Sequence, residues 1–221
     1  ELSAVVAHEV RNPLGVIFNS LGSLRRMLRP EGDALVLLDI VGEEADRLNR
    51  IVGDLLDFAR PAPPQLRPER LDRLAEEAVA AALAQQHTTV EVVRDLDPGL
   101  PPVQLDGRQV RQALLNVAAN AVQAMPRGGR LTVRARLDGA AALVEIEDTG
   151  AGIPGDVVAR IFEPFFTTKA TGSGLGLAVV KRIVDAHGGE VQVRTEEGRG
   201  TRFALRFPIP PAAVASPARI G

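Results

Sequence analysis

The sequence predicts an α+β protein, in which an N-terminal helical hairpin dimerises as a four-helix bundle and a domain of alternating strands and helices follows. Three observations predict this fold. Two apolar series with helical spacing occupy the first 60 residues, a proline-rich stretch ends them, and strand-like and helix-like segments are interleaved beyond it. Since 45% of the 221 residues are hydrophobic, the chain can bury a sizeable core.

The composition excludes several classes of function. The 26 basic and 28 acidic residues nearly cancel, so nucleic acid is not an expected partner. The chain has no cysteine, which excludes disulfides and thiolate sites and is compatible with the cytoplasm. No apolar run approaches the roughly 20 residues of a membrane-spanning helix, so we expect no membrane contact by this fragment. The helical pattern at Glu1 suggests a piece of a longer protein, whose full length can carry a membrane anchor.

The first 60 residues have the pattern of two packed helices. In the first, apolar residues alternate at spacings of three and four, and Pro30 and Gly32 then interrupt the series. The second series repeats this rhythm up to Leu55. Two helices alone cover each other's apolar seam poorly, so two hairpins joined as a homodimer would bury both seams more completely. The first seam consists of Leu14, Ile17, Leu21, Leu24 and Leu28.

A domain boundary is predicted where prolines 61, 63 and 64 prevent a helix from continuing. The predicted partition is a hairpin over residues 1–60, a linker over 61–66, a second domain over 67–209 and a disordered tail over 210–221. The absence of periodicity begins already at Pro208, so disorder is expected from this residue onward.

The second domain reads as a largely antiparallel sheet with helices. Helices are expected over residues 71–86, 106–125 and 175–187, and Asp106 with Gln109 forms a capping box at the start of the second. Strands are expected over residues 89–94, 131–137, 142–147, 190–195 and 201–207. Asp138 and Gly139 predict a tight hairpin turn.

Asn116 and Asn120 form the first candidate site. They lie one helical turn apart, so they share a face. Two asparagines in an Ala-rich helix are by themselves more simply read as solvated. Magnesium, however, prefers oxygen ligands and often takes one or two protein groups plus substrate phosphates, so amide oxygens suffice when a triphosphate supplies the charge.

Two glycine-containing loops and a short turn complete the candidate site. Residues 148–154 (DTGAGIP) follow a strand, and Asp148 there can accept a hydrogen bond from the exocyclic amine of adenine, although the loop alone could be a simple turn. Residues 172–177 (GSGLGL) open a helix, where unpaired amides favour phosphate. Residues 198–201 (GRGT) lie between the last two strands.

Residues 161–169 (IFEPFFTTK) carry three of the seven phenylalanines but are too polar at one end for a strand. We expect a hinged lid whose aromatic side chains dock when a nucleotide binds.

Taken in chain order, these segments resemble the N, G1, F, G2 and G3 boxes of the histidine kinase catalytic domain. That domain has the Bergerat (GHKL) ATP-binding fold, an α/β sandwich. The resemblance covers residues 2–208, and the segment FFTTK resembles the nitrogen-regulation-type subgroup. It implies ATP and Mg²⁺ as cofactors, with Asn120 as the metal ligand and Asn116 assisting. It further implies that Asp148 binds the adenine amine and that Lys169 reaches the γ-phosphate. The other implied nucleotide-binding residues are Gly150, Gly152, Gly172, Gly174, Leu175, Gly176 and Thr201.

The same resemblance places the phosphoacceptor in residues 7–13 (AHEVRNP). His8 and Asn12 fall outside the apolar seam, so His8 should face solvent. A lone exposed histidine is usually idle, but Glu9 beside it can orient the imidazole proton, and Pro13 should bend the helix nearby. His87 and His187 lack such neighbours.

The predicted function is therefore that of a sensor histidine kinase in a two-component system. The enzyme would autophosphorylate His8 and pass the phosphoryl group to an aspartate in the receiver domain of a response regulator. The family also implies a phosphatase reaction, in which Asn12 aligns water. Two alternatives stay open: an ATPase or serine kinase on the same fold, such as an anti-sigma factor, and a scaffold that binds nucleotide without reacting. A histidine-bearing hairpin ahead of the ATP domain disfavours the first.

Overall fold

The structure, a computed structural model, describes residues 2–59, 63–84, 89–169 and 172–209. The side chains of residues 2–11, 50, 54 and 56–59 lie outside this description. The chain divides into two compact units, Glu1–Ala62 with Phe165–Leu175, and Pro63–Pro164 with Gly176–Gly221. In the described part of the chain, no helix combines the length and the apolar character needed to cross a membrane.

The first unit contains the predicted helical hairpin. Helix α1 spans Leu2–Leu28 and α2 spans Asp33–Ala59, and they pack against each other. The turn between them includes Gly32, whose φ of 56° lies in the left-handed region that favours glycine. Arg25 and Asp39 join the two helices by an ion pair of 2.5 Å. The expected break at Pro30 and Gly32 is confirmed.

The hairpin buries only part of its apolar seam. Leu14 and Leu21 are 5% and 9% exposed, whereas Ile17 is 39% exposed and Leu24 is 41% exposed. On α2, Ala45 is buried but Leu48 is 49% exposed. One chain by itself therefore leaves a continuous apolar stripe in contact with water.

The second unit contains a five-stranded sheet, whose order is β2-β4-β5-β7-β6. The strands are β2 (Val90–Leu96), β4 (Gly129–Asp138), β5 (Ala141–Asp148), β6 (Glu190–Glu196) and β7 (Gly200–Pro208). Only the β2–β4 pair is parallel, so the expectation of a largely antiparallel sheet is confirmed. The predicted turn between β4 and β5 is also confirmed: Asp138 pairs with Ala141, and Gly139 has a φ of 62°.

Three helices cover one face of this sheet and give the predicted α/β sandwich. They are α3 (Leu71–Ala84), α4 (Gly107–Gln123) and α5 (Gly176–Ala186). α4 lies between the other two and contacts both of them. The core between the layers is built from inward-facing strand residues such as Val133, Ile146 and Phe203, each at most 4% exposed. The apolar alternation of the strands explains this one-sided burial.

The opposite face of the sheet carries a network of ion pairs. Arg134 and Arg202 contact Glu147 at 2.6 and 2.9 Å, and Arg136 contacts Glu145 at 2.7 Å. Hydrogen bonds from Arg202 and Arg134 hold the pKa of Glu147 below its usual range. The charges on this face are therefore largely satisfied within the sheet itself.

Two details differ from the expectations. A two-stranded sheet of β1 (Arg67–Glu69) and β3 (Val103–Leu105) was not predicted. The absence of structure expected from Pro208 onward is wrong at its start, because Pro208 ends β7 and Ile209 is buried and donates to Ala140 O at 2.9 Å. The predicted tail over 210–221, residues 60–62 around the start of the predicted linker, and His87 lie outside the described residues.

Candidate functional site

The candidate site of the second unit begins at Asp148, the last residue of β5. Its side chain is only 4% exposed and faces the helical layer. In the sheet it pairs with Leu131 on β4 and Thr201 on β7, and its Oδ1 accepts from Gly150 N at 2.8 Å. A carboxylate this well buried at the end of a strand is an acceptor held in one position.

The glycines around Asp148 are required by the protein's own backbone. A Cβ on Gly150 would lie 2.6 Å from Ala124 O, and one on Gly152 would collide with Glu196 O. A Cβ on Gly200 would collide with Asp148 O. Gly152 and Gly200 also have φ values of 71° and 120°. The glycine requirement is thus explained by close chain packing, besides the approach of a flat ring that the sequence suggested.

One face of α4 leads from this loop to the start of α5. Asn116, Asn120 and Ala124 follow at intervals of one turn, and both asparagines are half-buried. Ala124 O accepts from Ala151 N at 3.3 Å, and Asn116 Nδ2 donates to Gly176 O at 3.2 Å. Asp148, the two amides and the N-terminus of α5 therefore lie along one continuous edge of the unit.

Local sequence explains the orientation of α4. Asp106 caps its N-terminus, since Oδ1 accepts from Arg108 N and Gln109 N, each at 3.1 Å. The predicted N-cap is confirmed, but the reciprocal bond of a capping box is not formed, because the Asp106 N–H has another partner. Burial raises the pKa of Asp106. The hydrogen bonds from the two backbone donors of α4 and from Gln65 N together lower it by more, so the pKa lies below its usual value. The Asp106 N–H donates at 3.0 Å to His187 Nε2, which gives His187 a structural role at the opposite end of the domain from Asp148.

The segment Phe165–Leu175 contains residues 165–169 of the predicted lid, which begins at residue 161, and the start of the glycine-rich loop. It forms no strand in its described residues, as expected. Phe165 is 62% exposed and has a φ of 66°. Lys169 N donates to Thr167 Oγ1 at 3.1 Å, and Leu175 N donates to Ser173 Oγ at 3.3 Å. Helix α5 begins at Gly176, directly after this loop, as the phosphate-binding interpretation requires.

In the first unit, His8, Glu9 and Asn12 lie on the single helix α1, which continues through Pro13. The side chains of His8 and Glu9 are outside the described part of the structure, and Asn12 is exposed. His8 and Asn12 are one turn apart, so they share a helix face. The expected bend at Pro13 stays a prediction.

A polar residue that the sequence did not single out is Thr195 on β6. It occupies an inward-facing position, pairs with Thr201, and contacts Thr201 Oγ1 at 3.0 Å. The signal was present: the inward positions of β6 are Val191, Val193 and then a threonine next to the glycine turn.

Magnesium fits this site only together with a phosphate. Among the described residues no three His, Asp or Glu side chains converge as a metal site. The local oxygen donors of α4 are the neutral amides of Asn116 and Asn120, and such donors suit Mg²⁺ when substrate phosphates complete the octahedron.

Comparison with known families supports the two-part organisation. Residues 1–64 match the "His Kinase A (phospho-acceptor) domain". Residues 105–211 match the "Histidine kinase-, DNA gyrase B-, and HSP90-like ATPase" family. The first match covers the predicted hairpin and extends into the proline-rich stretch, and the second covers the later part of the predicted second domain and extends two residues beyond it.

Among curated proteins, sensor histidine kinase ZraS of Escherichia coli K12 is 38% identical over 94% of this chain. Signal transduction histidine-protein kinase AtoS of the same organism is 39% identical over 96% of this chain. The match covers 45% of ZraS and 35% of AtoS, so the chain spans less than half the length of these relatives.

Solved structures agree with the sequence relatives. Full-length ShkA in complex with AMPPNP has a TM-score of 0.77 at 31% identity, covering 94% of this chain and 45% of that one. The mycobacterial sensor histidine kinase MprB has a TM-score of 0.56 at 31% identity, covering 65% and 97%. Histidine kinase ThkA in complex with the response regulator TrrA has a TM-score of 0.68 at 25% identity, covering 96% and 62%. This chain belongs to the histidine kinase family, in which it combines the phosphoacceptor hairpin with the ATPase-like domain.

Proposed function

We propose that this chain is the catalytic core of a sensor histidine kinase, which transfers the γ-phosphoryl group of ATP to its own His8. The observation that carries the proposal is the shared edge of the second unit, where buried Asp148, the two amides of α4 and the N-terminus of α5 follow one another. Family membership and the AMPPNP bound to the related ShkA support ATP as the nucleotide.

Each part of this edge suits one part of ATP. Asp148 accepts from the adenine amine, beside Gly150, Gly152 and Thr201. Asn120 ligates Mg²⁺ and Asn116 supports its shell, so that the metal neutralises charge on the phosphates when it is bound. The loop that includes Gly172, Gly174 and Leu175 and ends at Gly176 wraps the phosphates, and Lys169 contacts the γ-phosphate.

The transfer itself needs a positioned nucleophile. A neutral nitrogen of His8 attacks the γ-phosphorus, a P–N bond forms, and the bond from phosphorus to the bridging oxygen breaks as ADP leaves. Glu9 accepts the proton of the other imidazole nitrogen and thereby keeps the attacking nitrogen unprotonated. In the reverse direction, Asn12 aligns a water for dephosphorylation.

The experiment that tests this function is labelling with γ-³²P-ATP and Mg²⁺. The chain is expected to incorporate label that survives base and disappears in mild acid, since a phosphoramidate is acid-labile whereas a serine ester is not. Label that survives acid would favour the serine kinase alternative, and no label despite measurable ATP binding would favour the nucleotide-binding scaffold.

Asp148→Ala should weaken ATP binding, because it leaves the adenine amine without its acceptor. The expected cost is on the order of 1 to 3 kcal/mol, or about tenfold to a hundredfold in Kd. Calorimetric titration with MgATP measures this change. The exposed Asp156 gives the matched control, since Asp156→Ala removes a carboxylate from the same loop region. Equal affinities of the two variants would remove Asp148 from the adenine site.

We further propose that the hairpin forms a homodimer through its exposed seam. Ile17→Glu places a charge on a residue that is 39% exposed in one chain, so the hairpin tolerates it but a four-helix bundle does not. Sedimentation at micromolar concentration should show a dimer for the wild type and a monomer for Ile17→Glu. Asn19→Glu, on the polar side of α1, is the control and should stay dimeric. A monomeric wild type would contradict the bundle.

The remaining parts of the proposal concern the whole protein. The complex of ThkA with TrrA supports a response-regulator receiver domain as the phosphoryl acceptor. We place the fragment in the cytoplasm, with hairpin, linker and ATP-binding domain at residues 1–60, 61–66 and 67–209. The linker lets the ATP-binding domain reach His8 within the same subunit or in its partner.

A further inference from the structure

Thr195 joins the two loops that enclose Asp148. Its Oγ1 accepts from Ile153 N at 2.8 Å and donates to Gly200 O at 3.1 Å. Ile153 directly follows Gly152, and Gly200 begins β7 beside Asp148. One hydroxyl group therefore fixes the positions of both glycine-containing loops of the candidate adenine site.

The same hydroxyl also determines the direction of the hydrogen bond from Thr201. A threonine hydroxyl has one proton, and Thr195 gives its proton to Gly200 O. With the proton of Thr195 directed to Gly200 O, the 3.0 Å contact between the two hydroxyl groups is best satisfied by a donation from Thr201 to Thr195. Because its proton is used in this bond, Thr201 offers only lone pairs to its other neighbours.

Asp148, Thr201 and Thr195 form one row across three strands of the inward face. Asp148 pairs with Thr201 across β5 and β7, and Thr201 pairs with Thr195 across β7 and β6. Asp148 and Thr201 are 4% and 6% exposed, so this polar row is nearly closed to bulk water. Side chains directly opposite each other on one face lie about 5 Å apart, close enough to contact one ligand edge.

We propose that Thr195 is a positioning residue for base recognition, which makes the Asp148–Thr201 pair a purely accepting surface. Such a surface matches the 6-amino group of adenine, which donates, and opposes the 6-keto oxygen of inosine or guanine, which accepts. The inference rests on the proposed function, since it assumes that the base binds at Asp148. It adds a residue that does not itself touch the nucleotide but sets which base is accepted.

The test compares Thr195→Val with Thr195→Ser in the full chain. Valine keeps the shape and the strand preference of threonine but removes all three hydrogen bonds, and it frees the proton of Thr201 for a keto oxygen. We expect the Kd for MgATP to rise about tenfold. The preference for ATP, measured as the Kd for ITP divided by the Kd for ATP, should fall several-fold relative to wild type. Serine keeps the hydroxyl group and should restore both values to within about twofold of wild type.

Thr132→Val is the matched control. Thr132 is 9% exposed on β4 and faces away from the helical layer, so its substitution removes a buried threonine hydroxyl from the same sheet without touching the row. In labelling experiments, Thr195→Val should raise KM for ATP while kcat at saturation stays near wild type. If Thr195→Val only destabilised the fold, it would lower the melting temperature without changing the ratio of the Kd values for ATP and ITP.

The outcomes separate this inference from the proposed function. Failure of the wild type to bind MgATP would overturn both. ATP binding by the wild type, with an unchanged ATP to ITP ratio in folded Thr195→Val, would overturn only the role of Thr195. Should Thr195→Val not fold, Thr195→Ser decides: a tenfold loss of affinity despite its hydroxyl group would equally overturn the inference.

Discussion

His8→Gln is expected to abolish acid-labile labelling by γ-³²P-ATP. The glutamine amide is of similar size and polarity, but it has no basic nitrogen with a lone pair able to attack phosphorus. The label should fall to background, whereas the Kd for MgATP should stay within about twofold of wild type, because the nucleotide contacts belong to other residues.

The control for this variant is His87→Gln, which removes another histidine and should keep full labelling. Calorimetry on His8→Gln verifies that the ATP-binding domain is intact. Equal label in His8→Gln and wild type would mean that His8 is not the acceptor, and the serine kinase interpretation would then replace the present one. This experiment distinguishes the histidine kinase from both alternatives, because only a histidine kinase is labelled as wild type and loses the label when this one side chain is replaced.

Asn120→Ala is expected to lower the rate of autophosphorylation by on the order of a hundredfold or more, since it removes the proposed protein ligand of Mg²⁺. Asn120 is half-buried in the fourth turn of α4, and alanine is a good helix former, so the fold should persist. Circular dichroism checks the fold, and a titration with Mg²⁺ at saturating ATP checks the metal requirement.

Two further variants make this result specific. Asn120→Asp keeps an oxygen ligand and should retain more activity than the alanine variant at high Mg²⁺. Gln123→Ala removes an exposed amide three residues later on the same helix and should leave the rate unchanged. Near-normal turnover of Asn120→Ala at saturating Mg²⁺ and ATP would refute the assignment of the metal ligand.

The residues of the candidate site could be predicted from the sequence where their relation depends only on neighbouring positions in the chain. Asp148 stands at the end of an alternating strand, Asn116 and Asn120 stand one turn apart, and glycines precede α5. These relations depend only on the periods of helix and strand. The inward position of Thr195 follows from the alternation of β6, but its hydrogen-bond partners could not be predicted, because Ile153 and Gly200 reach it only when β7 pairs with both β5 and β6.

The sequence by itself determined the elements whose causes are local. The break at Pro30 and Gly32, the cap at Asp106 and the turn at Gly139 each follow from the conformational preferences of one or two residues. The apolar periodicity likewise determined that two helices precede a one-sided sheet.

Only the tertiary structure decided the pairings between distant segments. The three-residue strands β1 and β3 have too few residues to show a period. They form only by pairing with each other, with Arg67 opposite Leu105. Ile209 is ordered because its N–H reaches Ala140 O, against the expectation from its proline-rich surroundings. His187 became structural because the cap of α4 offers it a donor 81 residues away. Hydrogen bonds of this kind depend on which segments the folded core brings together, and no local pattern encodes them.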